Sequence, residues 1–519
     1  MRITNKIISN NSVTNINRNK VLEDKINTQL SIGSKINRPS DDPVVAIRAL
    51  RLRTNLSQVN QYYKKNVPDA ESWLDITESA ITTVVDIVSD FYKNCEKGAA
   101  GFNTTEDRSK VLENLKSMQK EVYATGDADY AGRYVFSGYR TDTPVTFGNA
   151  VKQNYKITEQ LTVDSLSDMT YVDSGKLKNM TEANAEGLGT TEQDVTSSTI
   201  HRMRLSYNKC SDTVAPTITY YDAGGNQQTM TAEIVSAYDT ARNAYTSADQ
   251  AADGVVYIPE TGELILSDTA YGKLAGVKDN AATSDVDEGE IRVTYEKDTF
   301  EKNDLRPEHY FACTSGGIDY NAGYLTGATD DNSKQYISYD VGFNQSVRVN
   351  TLASELFTPA LRRDMDDLIS AIGDVDTMEK NISTLKDMLK KDPDNAELQE
   401  RLDAANKSYT LMNDKMQKLF ESSMTKAQGH LDLANSALTA TGNRGSRVEL
   451  VSNRLAKQQT NFKTLSSENE EVDITEVTVN LRSVELAYNA SLMATGKIAQ
   501  TTLLNLSLIH ISEPTRRVV

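Results

Sequence analysis

The chain has 519 residues, of which 38% are apolar and 25% charged, with 27 Gly, 10 Pro and three Cys. That length allows about two to four cored domains, and the composition excludes collagen-like, low-complexity and disulfide-framed classes. The net charge of −17 is uneven: residues 1–65 hold 12 Lys/Arg against 4 Asp/Glu, a net of +8, which leaves −25 for the remainder.

The N-terminus, Met1–Asn15, shows no apolar segment of the kind that directs ordinary secretion. The first predicted helix runs from about Ile16 to Leu30, with Leu22, Ile26 and Leu30 at i, i+4 and Gly33 at the C-terminal cap position. Asn37-Arg38-Pro39-Ser40-Asp41-Asp42-Pro43 then reads as a turn and a helix start. Ser40, Asp41 or Asp42 can accept from the free first-turn amides, and Pro43 suits the first turn. The next helix carries a seam at 52, 56, 59, 63, 66, 70, 73, 77, 80, 84, 87 and 91, in steps of four and three. Ten of these twelve positions, from Leu52, Leu56 and Val59 to Phe91, are apolar or aromatic. Such a seam predicts coiled-coil-like packing over about 60 Å. Pro68 lies inside it and should kink or split the helix. A further helix follows Thr104, with the stripe Val111, Leu115, Met118 and Val122.

From about Tyr134 the period changes. Thr217–Tyr221 with Gln227–Thr231, and Val255–Ile258 with Glu263–Leu266, read as hairpins. Ile291–Tyr295 and Ser346–Asn350 alternate as half-buried strands. Residues 134–355 are therefore mainly β, with some helix expected around Ala232–Ala251. Helix resumes near Pro359 with the stripe Met365, Leu368, Ile372 and Val375, and Asp392-Pro393-Asp394 breaks and restarts it. The seam returns in Val448, Val451, Leu455, Gln458, Phe462 and Leu465. It continues through Ile474, Val477, Leu481, Val484, Tyr488 and Ser491 to Thr495 and Ile498. Neither end can bury so narrow a stripe alone, so each is expected to bury the other. The fold expected is α+β: a long antiparallel helical bundle or coiled coil from both termini, with a mainly β domain inserted between them.

Residues with catalytic potential are sparse. His201, His309, His430 and His510 lie far apart in sequence, and Cys95, Cys210 and Cys313 have no metal-ligand spacing. Gly442-Asn443-Arg444-Gly445-Ser446 follows a helix and lacks the phosphate-loop lysine, so it reads as a helix-to-helix hinge. Asp285–Glu290 has Glu290 where a calcium loop needs Gly, and reads as a solvated loop; Asp330-Asp331-Asn332 reads as a turn. The basic N-terminal residues are dispersed, without aromatic interleaving, and read as solvated helix faces rather than a nucleic-acid surface. No enzyme, cofactor or metal is indicated, and Leu503–Ile511 is too short to span a bilayer, which needs roughly 20 residues.

Gln29–Asn37 followed by Arg38, Pro39, Ser40, Asp41, Asp42 and Pro43 resembles the N-terminus of the flagellin superfamily, in the version carried by its hook–filament junction members. Gln61-Tyr62, Asn66, Ala70, Trp73-Leu74 and Gly132-Arg133-Tyr134-Val135-Phe136-Ser137-Gly138 fit the same members, as do Asn443–Glu449, Leu465-Ser466, Glu470, Asp473, Glu476 and Ala487–Leu492. The resemblance spans roughly residues 1–145 and 335–506. It implies a secreted, extracellular structural subunit of the bacterial flagellum, exported by the type III route and held beforehand by an export chaperone. There it would form a ring of copies of itself between the first hook-associated protein and flagellin. A filament flagellin is the alternative. Asp90–Asn94 lacks the Arg-x-Arg-Glu-Leu stretch that immune receptors read in filament flagellins, so that activity is not implied. The resemblance divides the chain into an axial helical domain (1–45 and 445–506), a helical bundle (46–133 and 356–444) and an outward β insertion (134–355). Residues 507–519 are read as a non-family tail of artefactual origin. The assembly interface is expected along the seams, at Leu22, Ile26, Leu30, Leu52, Leu56, Val59, Leu455, Phe462, Val477, Leu481, Val484 and Tyr488.

Overall fold

The computed structural model of the chain describes residues 5–101, 104–222, 224–239, 241–277, 291–325 and 335–509. The loop Asp285–Glu290, the turn Asp330–Asn332, His510 and the rest of the tail lie outside them. The helices are α1 (Asn5–Ile32), α2 (Pro43–Gln61), α3 (Val67–Ala99), α4 (Thr105–Ala124), α5 (Asp268–Ala275), α6 (Pro359–Lys391), α7 (Ala396–Glu470) and α8 (Ile474–Ile509). The strands are β1 (Asp129–Tyr130), β2 (Arg133–Tyr134), β3 (Val151–Leu161), β4 (Leu166–Asp173), β5 (Thr196–Arg204), β6 (Thr217–Tyr221), β7 (Gln227–Thr231) and β8 (Glu233–Ile234). They continue as β9 (Val255–Ile258), β10 (Glu263–Leu266), β11 (Ile291–Phe300), β12 (Ala312–Ser315), β13 (Ile318–Tyr320), β14 (Ser338–Gly342) and β15 (Gln345–Arg348). The chain divides into two compact units, one of residues 1–68, 340–345 and 449–519, the other of residues 69–339 and 346–448. The fold is α+β, with helical ends and a β region between them.

In the second unit the α3 seam is buried as its period requires: Ala70, Trp73, Thr77, Ala80, Val84, Ile87 and Phe91 all lie inside. So do Val111, Leu115 and Val122 of α4, and Met365, Leu368, Ile372 and Val375 of α6. Thr104 accepts from the Asp107 amide and starts α4. Gly98 faces the Phe420 ring so closely that an added Cβ would stand 2.4 Å from it. Gly98→Ala should therefore lose about 1–3 kcal/mol of stability to overpacking, although alanine is intrinsically the better helix former by about 1 kcal/mol. Urea denaturation of the two forms measures the sign.

The β region holds a six-stranded sheet, ordered β13-β12-β3-β11-β6-β7, and a five-stranded sheet, ordered β4-β5-β10-β9-β8. Both expected hairpins form: Thr217 pairs with Thr231, and Glu263 with Ile258. The first sheet closes on an aromatic core that includes Phe147, Tyr155, Tyr295 and Phe300.

Two expectations fail here. The segment Ala232–Ala251 is not helical: it holds β8, turns and a short 3-10 turn at Ala248–Gln250. Its side chains hold the backbone in turns. Asp239 accepts from the Ala241 amide, Asn243 from the Tyr245 amide, and Glu260 from the Ala237 amide. Nor is Gly442–Ser446 a hinge, since it lies inside the 75 residues of α7. Arg444 fastens that turn by donating to the carbonyls of Ala440 (3.0 Å) and Asn350 (2.6 Å) and to Thr351 Oγ1 (2.8 Å). The break at Asp392–Asn395 falls where the sequence placed it.

Candidate assembly interface

In the first unit the two ends of the chain pair. α1 and α8 lie side by side, antiparallel, with Asn19 Nδ2 donating to Ser491 Oγ at 3.0 Å. The buried register of α1 is Ile16, Asn19, Glu23, Ile26 and Leu30, in steps of three and four. The expected stripe of Leu22, Ile26 and Leu30 is corrected at its first member, because Leu22 is 44% exposed. Steps of four alone drift off a seam whose mean step is about 3.5 residues. On α8 the inward positions are Val477, Leu481, Val484, Tyr488, Ser491 and Thr495, as the period predicts; Ile474 is exposed.

Both helices end in turns that lock together. α1 stops at Gly33, which takes φ +69° and donates its amide to Gln29 O at 2.9 Å. The Lys35 amide donates to Glu470 O (2.7 Å), and the Val472 amide to Gly33 O (3.1 Å). In the Asn37–Pro43 turn, Asp41 accepts from the amides of Asn37 (3.0 Å) and Arg38 (2.8 Å). Those backbone donors hold the Asp41 carboxyl below the usual range. Asp42 is the cap, accepting from Val44 and Val45, and Pro43 opens α2. Pro39 and Ser40 are exposed within the turn, and Arg38 gives it a backbone donor.

α2 lies against the final turns of α7. Gln459 donates to Asn60 Oδ1 (2.5 Å), Asn469 to the Val45 carbonyl (3.1 Å), and Arg53 pairs with Glu470. Val59 and Leu455 are fully enclosed, while Leu52, Leu56 and Phe462 are half-buried. α2 then ends in a single π-helical turn, Tyr62–Asn66, directly before Val67 and Pro68. Proline has no amide to donate, so the backbone ahead of it widens.

The seam residues thus face partners within the chain: Ile26 and Val477 are buried, and Leu30, Leu481, Val484 and Tyr488 are half-buried. The outward face carries a second apolar line that sequence reasoning missed. Val479, Leu486 and Met493 are 63%, 72% and 72% exposed and sit seven residues apart. They occupy the heptad position farthest from the seam, which is polar in an isolated pair. Val44, Ile47 and Leu50 similarly line the exposed face of α2. Of 21 exposed large apolar or aromatic side chains among the described residues, 16 belong to this unit. Apolar side chains concentrated in this way are uncommon on a face that meets only water. The signal was present as apolar residues at a fixed offset of two from the seam.

Among the described residues no group of three or more His, Cys, Asp or Glu is placed to hold a metal, and no helix is long and apolar enough to cross a membrane. The three cysteines are free and buried. In the second unit the Gly132–Gly138 motif packs rather than reacts. Arg133 lies over the Trp73 ring at 5.0 Å, and Phe136 meets Phe357 edge-on at 5.1 Å.

Residues 3–141 match the family described as the bacterial flagellin N-terminal helical region. The flagellar hook-associated protein 3 of Salmonella typhimurium is 24% identical over 143 residues, 27% of this chain and 45% of that protein. The protein of the same name from Escherichia coli is 24% identical over 144 residues, 28% of this chain and 45% of that protein. The matched stretch thus spans less than half of either relative. Among solved structures, FlgL of Xanthomonas campestris aligns over 80% of this chain and 99% of its own, at 10% identity and a TM-score of 0.31.

Proposed function

We propose that this chain, whose residues 3–141 match the flagellin N-terminal helical region, is a structural subunit of the bacterial flagellum acting at the hook–filament junction. In this reading it is exported, after being held by a cytoplasmic chaperone. It then forms a ring of copies between the first hook-associated protein and flagellin, outside the cell.

One observation carries the reading. The two ends of the chain close on each other and still leave the outward line Val479–Leu486–Met493 bare. A pair of helices needs no apolar residues at that position; a helical wall built from many copies does. The Pro39-Ser40-Asp41-Asp42-Pro43 turn favours the junction over the filament role, because filament flagellins tend to carry Ala-x-Asp-Asp-Ala-Ala-Gly there.

Deletion with complementation tests it. Cells lacking the gene should keep hooks, lose filaments and shed flagellin into the medium, and the full chain supplied from a plasmid should restore attachment. Attached filaments in the deletion strain would exclude the junction role.

A further inference from the structure

In the second unit, two segments meet between α4 and the six-stranded sheet. Residues 144–147 lie between β2 and β3, and residues 303–309 follow β11. They form a collar of backbone bonds: Phe147 amide to Asp304 O, Asn303 amide to Phe147 O, and Arg306 amide to Val145 O, each 2.9 Å, around a bridge between Thr146 and Leu305. The helical side holds the collar at two points. Asp127, just past α4, accepts from the Thr146 amide (3.0 Å) and hydroxyl (2.5 Å), and Arg362 of α6 pairs with Asp304 at 2.6 Å.

His309 closes the collar. Its ring is buried, and Nε2 donates to the Pro144 carbonyl at 3.1 Å. The charged groups around it are Glu308 and the guanidinium groups of Arg140 and Arg306. Arg140 donates to the Glu308 carbonyl (2.7 Å), and Arg306 to Glu308 Oε1 (3.2 Å) and the Thr146 carbonyl (3.3 Å). The Cys313 thiol nearby, pushed up to about 12 by burial, stays neutral. A proton on Nδ1 would therefore make a buried cation beside two others, with one carboxylate to share among three.

We propose that this collar is an acid-operated latch: protonation of His309 opens residues 144–147 from 303–309 while the helices and the sheet keep their own cores.

The direction follows from linkage. Burial first, and the two arginines after it, lower the His309 pKa to about 4 against the pull of Glu308 and the Pro144 bond. A solvated histidine takes its proton near 6.5. Between those values the open form binds a proton that the closed form does not, so closure weakens as pH falls. The opening equilibrium should rise about tenfold per pH unit and about 300-fold in all. Asp127 acts in the opposite sense, because burial raises its pKa and acid relieves that penalty. It sits at the α4 anchor, away from the imidazole.

Hydrogen exchange of the full chain, corrected for intrinsic rates, tests the latch at pH 7, 5.5 and 4.5. Peptides covering 144–147 and 303–309 should lose protection with acid, while those of α3, α6 and β3 hold theirs. His309→Gln keeps a donor for Pro144 without a titratable ring and should abolish the acid opening, leaving at most the opposite trend from Asp127. Arg140→Gln, which takes away one flanking cation, should reduce its amplitude. Protection lost everywhere at once, a collar still closed at pH 4.5, or unchanged acid opening in both variants would each overturn the proposal.

Discussion

Leu455→Asp should unfold the α2–α7 pairing of the helical end unit and leave cells without attached filaments. Leu455 is 1% exposed, in the seam where α7 meets α2. Truncating a buried leucine alone costs about 2–5 kcal/mol, and a carboxylate in its place adds a desolvation penalty. α2 and the end of α7 should therefore become protease-sensitive, while the sheets, which hold a separate core, keep their near-ultraviolet signal. Leu486→Asp is the contrasting arm. That side chain is 72% exposed, so isolated-chain stability should stay within about 0.5 kcal/mol, whereas filament attachment should still fail. Normal attachment by Leu486→Asp would show that the outward line touches no neighbour.

The second large effect is expected at the seam between β5 and α6. Arg204 pairs with Asp364 (2.9 Å) and with Asp367, and Arg202 with Glu263 (2.6 Å) and Asp367 (2.9 Å). Lys426 and His430 of α7 reach Asp364 from the other side, each at 3.0 Å. Burial would raise the Asp364 pKa, but the His430 hydrogen bond and the Arg204 and Lys426 charges override it and hold the carboxyl well below its usual range. Asp367 is lowered in the same way by Arg202 and Arg204. Arg204→Met takes one cation from each carboxylate, leaving Arg202 on Asp367 and Lys426 with His430 on Asp364, and should cost about 1.5–3 kcal/mol, read from the urea midpoint at pH 7. Adding Asp364→Asn should return part of that loss. The native pairs stabilise above the unfolded carboxylate pKa of about 4 and lose that contribution as pH falls through the depressed folded values. Acid should therefore narrow the gap between variant and wild type.

Periodicity carried most of the helical architecture. The 3–4 seam from Leu52 to Phe91 follows the inward face, because heptad spacing is a direct geometric instruction. Capping chemistry was legible at Gly33 and, to within Ser40, Asp41 or Asp42, at the start of α2, where few residue types satisfy the backbone. The Ala232–Ala251 segment misled because alanine content speaks for helix while Asp239 and Asn243 turn the chain locally, and only tertiary neighbours such as Glu260 decide between them. Arg444 turned an apparent Gly-rich hinge into rigid helix through contacts about ninety residues away in sequence. The candidate interface was half legible. The seam was read, but the outward line at Val479, Leu486 and Met493 looked like ordinary surface until the inward face was fixed.

The pairing of α1 with α8 has a temporal side. Asn19 and Ser491 are 472 positions apart in the chain, so α1 is synthesised long before its mate. Closing a loop of that length is slow, and most of a helix's stability in a protein comes from the face it packs. A nascent chain therefore carries α1 without its mate until α8 has been made. A nonsense mutation anywhere between Gly33 and Ile474 leaves α1 without its mate, whatever else has folded.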